Sequence, residues 1–242
     1  MTEETSLPAP AGLLFEPTAT FPDGYTIGVT RYADLILRDA FPARFDDLWL
    51  TLENYSIGAD ELVAGGGNRA GHTARFDASL QRFGWGKRNI TIEKFVDGRP
   101  IHRTRGHEID MFGAGPGGAP DPYPGVGVEM EWNNKDPFFD RDLLNFQALH
   151  REGALAVGVI VTRGPDLQQI IGPTIYGTSR SPKFGRSTTH WDKLVPRVEL
   201  GGGGECPLIL IGIQPERIDG FEPIVQAYSD RRPITRGDTL EA

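Results

Sequence analysis

In residues 125–163 the chain reads GVGVEMEWNNKDPFFDRDLLNFQALHREGALAVGVIVTR. Through Glu129 and Glu131, apolar residues alternate with glycine or glutamate, and this period of two predicts a strand with one acidic face. Asp136, which a proline follows, predicts the start of a helix. The apolar, β-branched run 154–162 predicts a strand buried on both faces. A strand, a helix and a second strand imply a parallel pair, and therefore an α/β fold with a mixed central β-sheet flanked by helices.

The two glutamates carry the chemistry of this segment. Glu129 and Glu131 are two apart on the predicted strand, so their side chains share one side, where they repel unless a cation or a proton intervenes. Asp110, upstream in HEIDMF, supplies a further carboxylate. Mg²⁺ binds a few carboxylates with waters and substrate phosphates, and it activates water for phosphodiester cleavage. The pattern predicts a metal site of Asp110, Glu129 and the Met130 carbonyl, with Asp110, Glu129 and Glu131 as catalytic residues.

A solvated acidic strand is the alternative to a metal site. Glu129 and Glu131 would then lie on an exposed face and pair with lysine or arginine. The spacing D…ExE alone leaves this alternative open, because acidic surface strands produce it often.

The charge distribution favours a polyanionic partner, although the net charge is -8. Residues 65–105 hold nine Lys/Arg against three Asp/Glu, and residues 180–197 hold five against one. Two basic segments on an acidic body suit DNA that contacts one face. Ordinary solvated surface charge is the other interpretation.

Residue types within these segments suggest DNA contacts. Arginine, lysine and asparagine recognise base edges or phosphates, and hydroxyl groups bind phosphates. The predicted DNA-binding residues are Asn68, Arg69, Lys87, Arg88, Ser187, Thr188, Thr189, His190 and Lys193. For the glycine-rich loop around Asn68, a plain flexible turn remains an alternative.

Bulk features predict one domain in a reducing compartment. The length of 242 residues suits one domain over 24–242, after a proline-rich, flexible arm at 1–23. The single cysteine, Cys206, excludes an intrachain disulfide and suits the cytoplasm. The first ten residues resemble no signal peptide, and no apolar run is long enough to span a membrane.

Periodicity also predicts the other elements. We expect a helical region over 30–61 that Pro42 interrupts, a helix over 73–83, and a hairpin that turns at Asp97-Gly98. Residues 187–190 are predicted to cap a further helix. A buried strand is predicted over 207–213. From Gln214 the chain is predicted to be mostly coil.

Several segments together carry a family resemblance. They are HEID, GGGNRAG, RFDASLQRFGW, VGVEMEWNNKDPFFDRDLLNFQALHREGALAVGVIVTRG and STTHWDKLVPRVELGGGGECPLILIGI. Over about residues 65–213 the chain resembles the BglII/BamHI-like type II restriction endonucleases of the PD-(D/E)xK superfamily. Glu131 stands where the superfamily signature usually has lysine.

The resemblance implies a homodimer that grips palindromic double-stranded DNA and cuts both strands with Mg²⁺. It implies that Asp110 and Glu129 are metal ligands and that Glu131 is a general base or a ligand of a second metal. The further upstream acidic residue of BamHI has no clear match, and Glu93 is one candidate.

Two functions of other classes remain as alternatives. A DNA-binding protein on the same fold that does not cut is one, and the intact acidic set argues against it. A two-carboxylate carbohydrate hydrolase is the other, and it requires carboxylates on opposite sides of a sugar rather than on one face of a strand.

Overall fold

Strands and helices alternate along the chain in the computed structural model, which describes residues 14–64, 70–177, 181–236, 238 and 240. The strands are β1 (Tyr25–Val29), β2 (Ile57–Gly58), β3 (Gly86–Ile90), β4 (Glu93–Val96), β5 (Arg99–Arg103), β6 (His107–Gly113), β7 (Gly125–Met130), β8 (Leu155–Arg163), β9 (Ile175–Tyr176), β10 (Leu208–Ile213), β11 (Ile218–Asp219) and β12 (Ile234–Thr235). The helices are α1 (Ala33–Ala40), α2 (Pro42–Glu53), α3 (Ala59–Val63), α4 (Gly71–Arg82), α5 (Phe138–Arg151), α6 (Pro165–Thr174), α7 (Trp191–Glu199) and α8 (Glu222–Ser229).

The predicted strand–helix–strand unit is confirmed as β7, α5 and β8, and its two strands are parallel neighbours. The helix begins at Phe138, two residues after Asp136, with Pro137 at the N-cap. After α5 the chain turns at Gly153, whose φ of 75° is a conformation that favours glycine. The crossover helix therefore brings the chain back to the end of the sheet where β7 begins, and β8 then runs parallel to β7.

The main sheet has six strands in the order β1-β10-β8-β7-β6-β3. β10, β8 and β7 are parallel, whereas β1 at one edge and β6 and β3 at the other are antiparallel to their neighbours. The prediction of a mixed central sheet flanked by helices is therefore confirmed. The parallel strands at its centre are buried along almost their whole length.

Helices cover both faces of this sheet. On one face, Val128 and Met130 of β7 pack in a core that α1, α2, α4, α6 and α8 complete. On the other face, Phe139, Leu143 and Phe146 of α5 pack with α7 and with alternate residues of the strands. Side chains of β7 therefore alternate between the two layers.

The other predictions of secondary structure have mixed outcomes. Pro42 separates α1 from α2, and the predicted hairpin is present as β4 and β5, outside the main sheet. The prediction of coil after Gln214 is wrong, because the chain forms α8 there, with Ile224 and Ala227 on its buried side. In the described part of the chain, none of the helices has the length and apolar character needed to cross a membrane.

Residues 14–23 of the predicted N-terminal arm contact the rest of the molecule. Phe15 and Val29 exchange two backbone hydrogen bonds of 3.0 and 2.9 Å. The N–H groups of Thr18 and Ala19 donate to one carboxylate oxygen of Asp34. The boundary at residue 23 and the single domain over 24–242 stay predictions.

Close packing between α5 and β8 makes Gly158 a sensitive position. A Cβ there would overlap the ring of Phe146, which is fully buried. We expect Gly158→Ala to lower the free energy of unfolding by about 1–3 kcal/mol, because the ring has no room to move. Urea unfolding midpoints at unchanged slope would measure the loss. Gly86→Ala is the matched control, since a Cβ at that strand position meets no atom within 4 Å. Equal midpoints for the two variants would contradict this packing.

Candidate active site

The site begins where the pairing of β6 with β7 ends. Residue pairs run from Gly113 opposite Val126 to Met111 opposite Val128 and stop there. At the next position the backbone N–H of Asp110 donates to the side chain of Glu129, at 3.1 Å from Oε1. A carboxylate thus takes the place of a backbone carbonyl, and the two strands separate.

A bulge in β6 contributes to this separation. Gly86 of β3 lies opposite Phe112, and Arg88 lies opposite Ile109. Two residues of β6, Asp110 and Met111, therefore lie opposite one residue of β3. Bulges redirect side chains and terminate pairing, and this one lies at the predicted metal-binding aspartate.

Glu129 and Glu131 point into the layer that contains α5, as the alternation predicted. Their exposed fractions are only 4% and 3%, and Asp142 of α5, with 1%, lies beside them. The Asp142 carboxyl is close enough to Glu131 to form a side-chain hydrogen bond with it. The predicted alternative, an exposed acidic strand, does not describe these two glutamates, because both are buried.

Two side chains donate to Glu131. The amide nitrogen of Asn134 lies 2.6 Å from Oε2, and a guanidinium nitrogen of Arg141 lies 3.2 Å from Oε1. The same guanidinium nitrogen lies 2.7 Å from Asp142 Oδ1. Arg141 stacks on the ring of Phe138 at 4.6 Å and is half exposed, so one cation at the surface serves two buried carboxylates.

Burial and mutual repulsion shift the protonation of these acids. Burial, followed by the charges of Asp142 and Asp110, raises the pKa of Glu129 to about 9. Burial and the charge of Asp142 raise the pKa of Glu131 to about 8. Burial also raises the pKa of Asp142. Near neutral pH the cluster therefore retains protons, which a cation of higher charge could replace.

Asp110 and Lys87 lie together at the mouth of the site. Asp110 is half-buried, and the Lys87 ammonium lies 3.7 Å from its Oδ1 and 2.8 Å from Glu108 Oε1. Lys87, predicted to contact DNA, is thus placed beside the predicted metal ligand. A phosphate that reached Asp110 would also meet this ammonium group.

The backbone of Met130 faces the gap between the separated strands. The N–H of Glu131 donates to Val161 of β8, and the carbonyl of Glu131 accepts from Thr162 of the same strand. Backbone groups of consecutive strand residues point to opposite sides. The carbonyl of Met130 therefore points away from β8, toward β6, where the pairing has ended.

The donor set suits a hard divalent cation. Among the described residues, no group of three or more His, Cys, Asp or Glu side chains is arranged to hold a metal ion. Mg²⁺ requires less than that, because one or two carboxylates suffice when waters and substrate phosphates complete its coordination. Asp110, the buried Glu129 and the Met130 carbonyl provide oxygen atoms only, and burial, followed by the charges of Asp142 and Asp110, raises the pKa of Glu129.

The predicted DNA contacts in the first basic segment have separate outcomes. Asn68 and Arg69 lie outside the described residues. Arg88 donates to the Tyr123 hydroxyl at 3.0 Å, and its guanidinium lies over the rings of Tyr123 and Phe112. Arg88 therefore already has partners within the protein.

The second predicted contact segment is partly internal. Ser187 is exposed, Thr188 is half-buried and Lys193 is half-exposed. Thr189 and His190, by contrast, are buried, and His190 contacts the Thr188 carbonyl through Nδ1 at 2.7 Å. The prediction that the side chains of Thr189 and His190 contact DNA requires correction, because the protein interior surrounds both.

Sequence reasoning missed Asp142. A signal for Asp142 exists: it lies three residues after Phe139 and four before Phe146, on the buried side of α5. An acid on an apolar helix face must have a partner inside. Glu93, the candidate for a further acid, instead pairs with Arg103 on the exposed hairpin.

Fold and site together define a nuclease of the restriction endonuclease type. The family model for the restriction endonucleases BglII and BglIII matches residues 25–213. The chain belongs to this family, and the resemblance stated from the sequence is confirmed. A comparison with curated proteins finds no match. As a member, the chain is a DNA endonuclease of the type II, site-specific class.

Metal-free protein should lose stability as the pH rises from 5 to 9. The pKa of Glu129 is about 9 in the folded protein, whereas the ordinary value of 4.5 applies to the unfolded chain. Between them the native state holds a proton that the unfolded chain has released, so the free energy of unfolding falls by up to about 1.4 kcal/mol per pH unit for this group. Melting temperatures in EDTA across this range would measure the slope. Glu129→Gln stays neutral and should flatten it, and an unchanged slope would contradict the assignment.

Proposed function

We propose that the chain is a Mg²⁺-dependent type II restriction endonuclease that cuts both strands of a short palindromic DNA sequence as a homodimer. Family membership supports DNA cleavage, and the site supports the metal. The observation that carries the proposal is the burial of Glu129 and Glu131 side by side at the open end of the β6–β7 pairing. The single, buried Cys206 suits a reducing compartment, and we place the enzyme in the cytoplasm.

In the proposed mechanism Asp110, Glu129 and the Met130 carbonyl would hold a Mg²⁺ ion. When bound, Mg²⁺ supplies charge compensation at the scissile phosphate and lowers the pKa of water. Glu131 would accept the proton of the attacking water once the positive charge of a bound cation had lowered the raised pKa of its carboxyl. Asn134 and Arg141 hold the Glu131 carboxylate in place. In-line attack then leaves 5′-phosphate and 3′-hydroxyl ends.

Lys87 and the surface of the segment after β9 are the proposed DNA contacts. Lys87 lies at the mouth of the site, where its ammonium can bind a phosphate next to the scissile one. Ser187 and Lys193 remain accessible for phosphates or base edges. We keep Asn68 and Arg69 as proposed contacts on the basis of their residue types alone.

A homodimer follows from the need to cut two strands. One set of carboxylates cuts one strand, and a second copy related by a two-fold axis presents the same set to the other strand. A two-fold symmetric protein matches a DNA sequence with the same symmetry, which is a palindrome. This part of the proposal rests on symmetry and on the family.

The first experiment is incubation of long, unmethylated DNA of known sequence in Mg²⁺ and separately in Ca²⁺, followed by gel electrophoresis. We expect discrete fragments in Mg²⁺ only, because Ca²⁺ accepts longer and more variable coordination than hydrolysis requires. A smear would contradict site specificity. Metal-independent binding without products would favour the non-cutting DNA-binding protein, and methylated DNA would then be the next substrate.

Loss of the Glu129 charge should abolish cleavage without loss of the fold. We expect Glu129→Gln to lower the cleavage rate in Mg²⁺ by more than about a hundredfold, because the ion loses a buried ligand. Glu222→Gln, an exposed acid in the first turn of α8, is the control and should cut at the wild-type rate. Full cleavage by Glu129→Gln would exclude Glu129 as a ligand.

A further inference from the structure

The buried guanidinium of Arg163, at the end of β8, has no role in the mechanism above. Its exposed fraction is 0%, and burial lowers its pKa to about 9. No carboxylate of the described residues forms an ion pair with it, and its Nε has no hydrogen-bond partner among them. The rings of Phe184 and Trp132 lie 4.9 and 5.9 Å from its Cζ. Such a burial is costly, so the bonds that Arg163 does form are informative.

Arg163 donates to two separate segments. One guanidinium nitrogen lies 2.6 Å from the Thr188 hydroxyl and 2.6 Å from the Thr189 carbonyl. The other lies 3.4 Å from the side-chain oxygen of Asn133, just after β7. A planar guanidinium can serve several acceptors at fixed angles, which a lysine cannot. Arg163 therefore ties residues 188–189 to the end of the catalytic strand.

These segments are also joined directly through their backbones. The N–H of Thr189 donates to the Asn134 carbonyl at 2.9 Å, and the N–H of Asp136 donates to the Ser187 carbonyl at 3.1 Å. Lys135 and Thr188 form an isolated antiparallel bridge. Residues 187–189 and 134–136 thus form one short, antiparallel two-stranded pairing.

The side chain of Asn134 completes the connection to the active site. Its amide nitrogen donates to Glu131 Oε2 at 2.6 Å. Hydrogen bonds therefore run without a break from Glu131 through Asn134 and Thr189 to Arg163 and Thr188. We call these five residues the link. Ser187, a proposed DNA contact, is exposed at the outer end of the link.

We propose that the link couples the seating of DNA on the Ser187 surface to the orientation of the Glu131 carboxylate. Arg163, Thr188 and Asn134 are then positioning residues that determine specificity. A correctly seated site keeps residues 187–189 in register and Glu131 aimed at its water. A wrong base pair displaces the segment, and Asn134 carries the displacement to Glu131. This inference rests on the proposed function.

A purely structural role makes a different prediction. If the link only stabilises the fold, its loss lowers the melting temperature and affects cognate and altered DNA sites equally. If it couples recognition to cleavage, its loss reduces the ratio of kcat/KM between the cognate site and a site with one altered base pair. The fall should lie in kcat for the cognate site, because Glu131 acts in the chemical step.

The test compares Thr188→Val with Thr188→Ser on the cognate site found by the gel experiment and on sites with one altered base pair. Valine removes the hydroxyl that Arg163 contacts and keeps the shape, whereas serine keeps the hydroxyl. We expect valine to reduce the discrimination ratio about three- to thirtyfold, with serine close to the wild type. Thr174→Val is the matched control, since its buried hydroxyl bonds only the Ile170 carbonyl of its own helix.

The second arm tests whether two residues act along one path. Asn134→Ala should reduce discrimination as Thr188→Val does, and the double variant should be no worse than the stronger single variant. If the losses of discrimination in the two single variants multiply in the double variant, the inference is overturned. A wild-type ratio in Thr188→Val, or an equal loss in Thr188→Ser or Thr174→Val, would also overturn it. A wild-type protein that cuts no DNA would overturn the proposed function itself.

Discussion

Three carboxylates buried beside one half-exposed guanidinium form the constraint on which the candidate active site depends. Glu129, Glu131 and Asp142 lie within the layer between the sheet and α5, where water cannot screen their charges. Arg141 offsets part of that charge, while burial and the charge of Asp142 raise the pKa values of Glu129 and Glu131. A site with such an excess of negative charge is stable with protons or with a cation. The nuclease chemistry of the family uses that second state.

The end of the β6–β7 pairing makes this cluster possible. The pairing stops at Met111 and Val128, just before Asp110 and Glu129 would lie opposite each other. Had β6 and β7 continued as a regular ladder, the Met130 carbonyl would accept a hydrogen bond from β6. The bulge at Asp110 and the hydrogen bond from its N–H to Glu129 separate the strands there. Lys87 then sits at the opening. One irregularity thus brings together an acid, a backbone carbonyl and a cation.

The segment after β9 supports the candidate site through buried contacts as well as through its exposed residues. Thr189 and His190 are buried, and Arg163 holds Thr188 and Thr189 against the segment that follows β7. Polar residues in a basic segment can therefore act as internal supports. Their place in the structure follows from the unusual need to satisfy an arginine in the core.

Sequence alone determined the strand–helix–strand unit and the shared face of Glu129 and Glu131, because periodicity and helix signals are local properties of the chain. It also pointed to the family through a long motif. Tertiary structure alone decided that Asp142 joins the cluster, that Arg141 bridges it, and that Arg163 is buried with no counterion among the described residues. Those facts depend on which helix face meets which strand and on where strand pairing ends. Contacts between residues distant in sequence decide both, and no local pattern encodes them.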